Sequence, residues 1–172
     1  IDIPGRNLDG ILFAMEYLTM QNRTNTEAGY LDSDLISAKG KNVVILGGGD
    51  TGADCLGTAH RQGARSVHQL ELLSEPPATR GSNNPWPEWP LIVRTSAAHE
   101  EGGVRDYSIQ TKSFTGNNGH VNKLHAVNLD WGPPDESGRS TMKEIAGSEF
   151  EIETELVLLA LGFLHPAHEG IL

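Results

Sequence analysis

A glycine loop between a short apolar run and a helical stretch is the feature that most constrains this chain. The apolar run, Val43 to Leu46, is β-branched and predicts a strand, and the helical stretch extends from about Thr51 to Gln62. Gly63 follows as a candidate helix C-cap. A second apolar run, Ser66 to Leu73, predicts another strand. These elements form a βαβ unit, whose strands are expected to be parallel and whose crossover is expected to be right-handed.

The loop carries the glycine spacing of a dinucleotide-binding fingerprint. Its first, second and third fingerprint glycines, Gly47, Gly49 and Gly52, allow a tight turn, close approach of the backbone to a pyrophosphate, and close helix–strand packing. The phosphates are expected at the helix N-terminus, where unpaired N–H groups and the helix dipole favour negative charge. Asp50 and Thr51 either cap the helix or bind the cofactor, and capping is the simpler role. The predicted cofactor-binding residues of the loop are Gly47, Gly48, Gly49, Asp50, Thr51 and Gly52.

Glu71, near the end of the second predicted strand, bears on which nicotinamide cofactor is bound. It lies 19 residues after Gly52, where a carboxylate accepts hydrogen bonds from a ribose diol and repels a 2′-phosphate. An ordinary solvated glutamate is the alternative. Arg80, in the following loop, could reach a 2′-phosphate or be only solvated. NADH is therefore slightly favoured, and NADPH stays open.

The rest of the chain predicts an α/β fold in which an antiparallel meander joins the parallel sheet. Apolar spacing predicts a helix from about Leu8 to Met20, and a second helix is expected from about Trp89 to Ala98. Between them, residues 74–90 hold five prolines and two tryptophans, which predicts a rigid surface loop. Period-two patterning over residues 107–153 predicts a three-stranded antiparallel meander, with its third strand over residues 141–153. The apolar run over residues 155–162 predicts a last strand, buried on both faces, that returns to the parallel sheet.

Composition excludes several other classes of function. Lys and Arg number 13 against 23 Asp and Glu, a formal net charge of −10, and no basic patch points to nucleic acid or an anionic membrane. The longest apolar run, Leu156 to Leu161, is too short to span a bilayer. The single cysteine, Cys55, is expected to be a small buried residue, and we expect a cytoplasmic protein.

No catalytic or metal-binding set can be identified from the sequence. The histidines lie on unrelated predicted elements, so no metal site is expected. Glu100 or Glu101, which follow His99 and precede two glycines, could face a nicotinamide ring, although exposure to solvent is the commoner fate of such carboxylates.

Longer runs of the chain resemble the small subunit of glutamate synthase. The similarity covers nearly the whole chain and is carried by IPGRNLDGILFAMEYL, GKNVVILGGGDTGADCLGTAHRQGARSVHQLELL, NPWPEWP, HEEGGVRDY and MKEIAGSEFEIETELVLLALGF. It implies a Rossmann-like nicotinamide-binding domain of the two-dinucleotide-binding-domain flavoproteins, inserted into an FAD domain. In that family NAD(P)H passes hydride to FAD, and electrons cross iron–sulfur clusters to FMN on the large subunit. There 2-oxoglutarate and glutamine-derived ammonia become glutamate.

The resemblance adds two site residues and also shows departures from the family pattern. Ala160 and Gly162 match the small residues that end the last strand, where the family's chain passes close to the cofactor. No second GxGxxG for FAD is present, and one cysteine cannot supply cluster ligands, so FAD and iron–sulfur clusters are expected only in the full-length enzyme. Leu72 and Leu73 stand where many relatives carry an arginine pair for a 2′-phosphate, which agrees with the preference for NADH.

The resemblance also implies a division of the chain and a set of partners. Residues 1–36 would be a connecting helix and linker from an absent FAD domain, residues 37–164 the NAD(P)H-binding domain, and residues 165–172 a tail leading back to the FAD domain. The partners would be that FAD domain and the glutamate synthase large subunit, and the fragment alone would bind nucleotide without turnover. The alternatives are the nicotinamide domain of a related flavoprotein, such as a ferredoxin-NADP or sulfide oxidoreductase subunit, and a non-catalytic NADH-sensing domain.

Overall fold

A computed structural model of the protein describes residues 1–26, 35–134, 140–163 and 165. Its helices are α1 (Ala14–Thr26), α2 (Asp50–Arg61) and α3 (Ala97–Glu100). Its strands are β1 (Ile11–Phe13), β2 (Asn42–Leu46), β3 (Ser66–Leu70), β4 (Val104–Asp106), β5 (Ile109–Asn117), β6 (His120–Pro134), β7 (Ser140–Glu144), β8 (Phe150–Glu153) and β9 (Leu156–Leu159). No helix within the described ranges is both long and apolar enough to cross a membrane.

A parallel sheet with the strand order β1-β9-β2-β3-β4 forms the centre of the molecule. Its central strands β2 and β9 are largely apolar because both of their faces are covered, and every residue of β9 is buried. The predicted βαβ unit and the predicted return of the last strand are both confirmed. The α/β class, with an antiparallel meander beside the parallel sheet, is confirmed as well.

Two hydrophobic cores lie on opposite faces of this sheet. On one face, side chains of α1 and α2, including Tyr17, Cys55 and Leu56, pack on alternate residues of β2 and β9. On the other face, Phe114 and Leu124 of the antiparallel sheet pack on the strand residues that point the opposite way. This alternation follows from the period of two along each strand. The result is three layers of helices, parallel sheet and antiparallel sheet.

The antiparallel layer is built around β6, the longest strand of that layer. β5 and β8 pair with one part of β6, and β7 pairs with a later part. The prediction of a single third strand over residues 141–153 is wrong, because the chain turns between β7 and β8 at Gly147, whose φ is +77°. A positive φ suits glycine and ends the extended run there.

Three other local features of the structure differ from what the sequence predicts. The helix predicted from Leu8 begins only at Ala14, because residues 11–13 pair with β9 as an edge strand. The helix predicted over residues 89–98 is reduced to the short α3. The three residues of β4 form an unpredicted edge strand beside β3.

The segment predicted to connect from an FAD domain takes part in the sheet. Within residues 1–36, β1 pairs with β9, and the amide of Phe114 in the antiparallel layer donates to the carbonyl of Pro4 at 2.9 Å. Residues 27–34 of the predicted linker, and all of the predicted tail except His165, lie outside the described residues.

Candidate nucleotide-binding site

The glycine loop lies at the carboxyl end of β2, where the strand order of the parallel sheet changes direction. From β2 the chain proceeds to β3 and then β4 on one side, whereas β9 and β1 lie on the other. In open α/β sheets a crevice forms at this switch point, outside the carboxyl ends of the strands. The topology therefore leaves space on both sides of residues 47–52.

The packing of the loop requires glycine at two of its positions. A Cβ on Gly47, whose φ is +122°, would lie 2.2 Å from the carbonyl oxygen of Ala160. A Cβ on Gly52 would lie 2.3 Å from the carbonyl oxygen of Gly47. A Cβ on Gly48 would meet a side-chain atom rather than the backbone, Oε2 of Glu71 at 2.6 Å. The first and third fingerprint glycines thus allow the turn and the helix packing that the sequence predicts.

Gly49 differs from these three, because a Cβ there would meet no atom within 4 Å. It is the N-cap residue of α2, and within the described ranges no side chain caps that helix. The prediction that Asp50 or Thr51 caps the helix is therefore wrong: both lie in the first turn, beyond the cap position. An uncapped helix N-terminus beside open space is suited to bind an anion.

Glu71 forms a wall of the site, directly against the loop. Its Oε2 accepts a hydrogen bond from the Gly48 amide at 2.6 Å, and its Oε1 accepts one from the Leu73 amide at 3.0 Å. The side chain is half-buried. Two backbone N–H donors therefore fix the carboxylate at the position that the fingerprint spacing predicts.

A buried glutamine, which the sequence did not indicate, links the loop to α3. Gln69 is 2% exposed, and its Nε2 donates to the carbonyl oxygen of Gly47 at 2.9 Å. Its Oε1 lies 3.0 Å from Nε2 of His99, and Nδ1 of His99 lies 3.1 Å from the amide nitrogen of Ser96. Burial lowers the pKa of His99, and the nearby charge of Arg105 lowers it further.

A first cleft of about 340 Å³ opens on the β3 side of the loop. Its charged lining residues include Asp50, Glu71, Arg94 and Arg105. The Arg94 guanidinium lies 4.2 Å from the centre of the Trp89 ring, and Nη1 of Arg105 donates to the carbonyl oxygen of Arg94 at 3.0 Å. The sequence does not indicate that either arginine lines the site, because each is far from the glycine loop along the chain.

A second cleft of about 390 Å³ opens on the β9 side of the loop. Predicted site residues Thr51, Ala160 and Gly162 line it, together with Phe13, Ala14, Met15, Leu159, Leu161, Phe163 and His165. This lining is mostly apolar, unlike that of the first cleft. The structure thus brings the predicted site residues together around the loop, with the exception of Arg80.

Arg80 does not line either cleft. Its Nη1 donates to the carbonyl oxygens of Asn84 and Glu88, at 3.0 and 2.8 Å, and so holds the proline-rich loop together. Its predicted contact with a 2′-phosphate stays a prediction.

Other sequence candidates also lie apart from the clefts. Glu101 forms an ion pair with Arg61 at 2.8 Å, and Glu100 is exposed outside both linings. Cys55 is buried, as predicted, and burial raises the pKa of its thiol to about 12. Over the residues that the structure describes, no three His, Cys, Asp and Glu side chains are grouped to hold a metal ion.

Solved structures with a similar fold define the class of protein. FprA, a Mycobacterium tuberculosis oxidoreductase solved in complex with NADPH, matches 99% of this chain and 48% of its own, with a TM-score of 0.63 and 14% identity. A FAD-dependent pyridine nucleotide-disulphide oxidoreductase from Desulfovibrio vulgaris matches 93% of this chain and 32% of its own, with a TM-score of 0.53 and 13% identity. The chain therefore has the α/β fold found in the FAD- and NAD(P)-binding oxidoreductases.

Sequence comparison gives a more particular relation. No protein-family model matches the chain. It is 49% identical to the glutamate synthase [NADPH] small chain of Mycobacterium tuberculosis H37Rv, over 100% of this chain and 35% of that protein. It is 44% identical to the glutamate synthase [NADH] of Schizosaccharomyces pombe, over 99% of this chain and 8% of that protein. The chain is a homologue of one part of the glutamate synthase small chains, which confirms the resemblance predicted from its sequence, and it spans about a third of their length.

Proposed function

We propose that this chain is the NAD(P)H-binding domain of a glutamate synthase small subunit, and that it holds the reduced nicotinamide for hydride transfer to FAD. The observation that carries the proposal is the open position at Gly49, at the uncapped N-terminus of α2 and between two clefts. A pyrophosphate fits this position, because it needs N–H donors, a favourable dipole and no side chain in its way.

The two clefts suit the two ends of a dinucleotide. Glu71 lies in the first cleft, and a carboxylate at the end of this strand binds the adenosine ribose in dinucleotide-binding folds. The adenosine half therefore belongs on the β3 side. The nicotinamide half then belongs in the second, apolar cleft, near Thr51 and Ala160. An apolar lining keeps water away from the reactive ring and its exchangeable hydride.

Glu71 also supports a preference for NADH over NADPH. Its carboxylate is fixed by two backbone amides, so it cannot swing away from a 2′-phosphate without losing both bonds. Arg94 and Arg105 supply positive charge in the same cleft and support binding of either anionic dinucleotide. Both cofactors occur in the names of the relatives: NADPH for the Mycobacterium tuberculosis protein and NADH for the Schizosaccharomyces pombe protein.

The exposed apolar rim of the second cleft supports a flavin-bearing partner rather than a stand-alone NADH sensor. Phe163 is 77% exposed and Phe13 is 55% exposed, and both belong to that lining. Exposed apolar patches of this kind mark interaction surfaces. We assign this rim to the FAD domain of the same polypeptide, with residues 37–164 as the nucleotide-binding unit and residues 165–172 leading back to the FAD domain. Iron–sulfur clusters and the large subunit complete the electron path outside this chain.

The division of chemistry follows from these contacts. A bound reduced nicotinamide supplies the hydride, and the flavin of the neighbouring domain accepts it. The residues of this chain bind the phosphates, fix the ribose and orient the nicotinamide ring, and the chain needs no acid, base or metal of its own.

Calorimetric titration of the chain with NADH and with NADPH tests the proposed function. We expect saturable binding of one nucleotide per chain, with NADH bound more tightly. Failure of both nucleotides to bind would refute the proposal, and tighter binding of NADPH would refute only the role given to Glu71.

A further inference from the structure

We propose that Gln69 is a positioning residue for the glycine loop, and that His99 holds the Gln69 amide in the one orientation that supports the loop. The inference rests on the proposed function, because it names the residues that set the geometry of the dinucleotide site. It rests on a series of hydrogen bonds that runs from Ser96 through His99 and Gln69 to Gly47.

These hydrogen bonds assign the donor and acceptor atoms of the Gln69 amide and of the His99 ring. The carbonyl oxygen of Gly47 can only accept, so the atom of Gln69 facing it must be the NH₂ group. The other end of the amide, Oε1, can then only accept, which requires a proton on Nε2 of His99. The remaining ring nitrogen, Nδ1, accepts from the Ser96 amide. His99 is therefore neutral and protonated on Nε2.

The position of Gln69 explains how it controls the loop. A Cβ placed on Gly52 would lie 2.5 Å from Nε2 of Gln69 and 2.3 Å from the carbonyl oxygen of Gly47. The amide thus fills the gap between the start of the loop at Gly47 and the first turn of α2. It fixes the separation of these two ends, and with it the direction of the backbone at Gly49 between them.

His99 extends this support to the far wall of the first cleft. It lines that cleft together with the Gly48–Asp50 backbone. The bond to Gln69 therefore ties α3, on the wall, to the loop that is proposed to bind the phosphates. Loss of the bond leaves a buried amide oxygen without its donor, so the amide is expected to reorient.

Nuclear magnetic resonance of the histidine ring nitrogens tests the assignment without any nucleotide. In the wild-type chain we expect His99 to be a single neutral tautomer, with the proton on Nε2, at pH 7. A proton on Nδ1, or a ring that exchanges between tautomers, would overturn the proposal.

Two pairs of variants test the positioning role by titration with NADH. His99→Leu removes the donor to Gln69, whereas His99→Gln places an amide NH₂ within reach of the same oxygen. We expect about tenfold weaker NADH binding for H99L, equivalent to ~1.4 kcal/mol, and recovery to within about threefold of wild type for H99Q. Gln69→Glu retains the size of the side chain but lacks the donor to Gly47, and it should lose about tenfold or more.

His125→Gln is the matched control, because His125 lies on β6 and lines neither cleft. It should leave NADH affinity unchanged. Equal affinity in wild type, H99L and Q69E would overturn the positioning role while leaving the proposed function intact. Absence of NADH and NADPH binding in the wild-type chain would instead refute the proposed function, and with it any role of Gln69 in the site.

Discussion

Two different physical causes explain why the loop contains glycine at its fingerprint positions. Gly47 and Gly52 are required by the backbone of the protein itself, because a Cβ at each would lie within 2.3 Å of a carbonyl oxygen. Gly49 has no such neighbour, so packing does not explain its identity. The spacing alone cannot separate these causes. Only the folded structure shows that the second fingerprint glycine faces open space at a helix N-terminus.

Replacement of Glu71 by glutamine tests the basis of cofactor choice. The glutamine Oε1 can still accept the Gly48 amide, so the loop should keep its shape, while the negative charge and the bond from the Leu73 amide are lost. We expect the ratio of NADPH to NADH affinity to rise about tenfold, or ~1.4 kcal/mol, because the repulsion of a 2′-phosphate is removed. Calorimetric titration with both nucleotides measures this ratio, and an unchanged ratio would show that Glu71 does not select the cofactor.

Cys55 should be chemically inert in the native protein. Burial raises the pKa of its thiol to about 12, with a smaller contribution from the charge of Asp54, so the reactive thiolate is scarce at pH 8. We expect no labelling by iodoacetamide at pH 8 unless the chain is unfolded in guanidinium, as followed by intact mass. Rapid labelling of the folded chain would contradict the burial of this side chain.

Among the elements, the proline-rich loop is the one whose form the sequence describes least. Residues 74–96 contain no helix or strand, yet the buried side chain of Asn84 organises them. Its Nδ2 donates to the carbonyl oxygen of Trp89 at 3.0 Å, and its Oδ1 accepts from the Leu91 amide at 2.8 Å. Local hydrogen bonds, rather than a regular backbone pattern, hold this wall of the first cleft in place.

Asn84→Ala should loosen this loop selectively. The substitution leaves the Leu91 amide and the Trp89 carbonyl without their side-chain partner, at a cost of about 1–3 kcal/mol. We expect limited proteolysis to cut the loop faster in the variant than in wild type, with NADH affinity reduced severalfold. Asn117→Ala, at the exposed end of β5, is the control. Equal cutting rates in the three proteins would show that Asn84 does not hold the loop.

The elements that could be predicted are those with a clear apolar pattern over a short stretch of sequence. β2, α2, β3 and β9 fall into this group, because apolar runs and glycine punctuation define them locally. β1 is different: its residues fit a helical pattern equally well, and pairing with β9 decides their conformation. β4 is only three residues long and exists through its pairing with β3. Tertiary contacts override local propensity in both strands.

At the scale of the whole molecule, the site combines local and distant residues. The sequence could predict the glycine loop and Glu71, because fixed spacing in a βαβ unit places them together. It could not place Arg94 and Arg105 in the first cleft, nor Gln69 behind the loop, since the fold alone brings them there. The two arginines also balance the charges of Asp50 and Glu71 in this cleft, in a chain whose formal net charge is −10.

The chain alone should bind a reduced nicotinamide without oxidising it. It carries a single dinucleotide fingerprint and one cysteine, and the proposed acceptor flavin belongs to another domain. We expect oxidation of NADH with ferricyanide as acceptor to stay at the rate measured without protein, followed by absorbance of the reduced nicotinamide. Flavin-independent turnover by the purified chain would contradict the proposed division between nucleotide binding and redox chemistry.

Gly49→Ala is the most direct test of whether a pyrophosphate lies against the backbone at Gly49. The added methyl group meets no protein atom, so the fold should be retained and the melting temperature nearly unchanged. Gly81→Ala is the control, because the same methyl group is added outside both clefts, where it meets only the exposed side chain of Asn83, with Oδ1 at 2.6 Å. Titration with NADH should show binding weakened at least about tenfold by G49A and unaffected by G81A. Wild-type affinity in a correctly folded G49A protein would contradict the account.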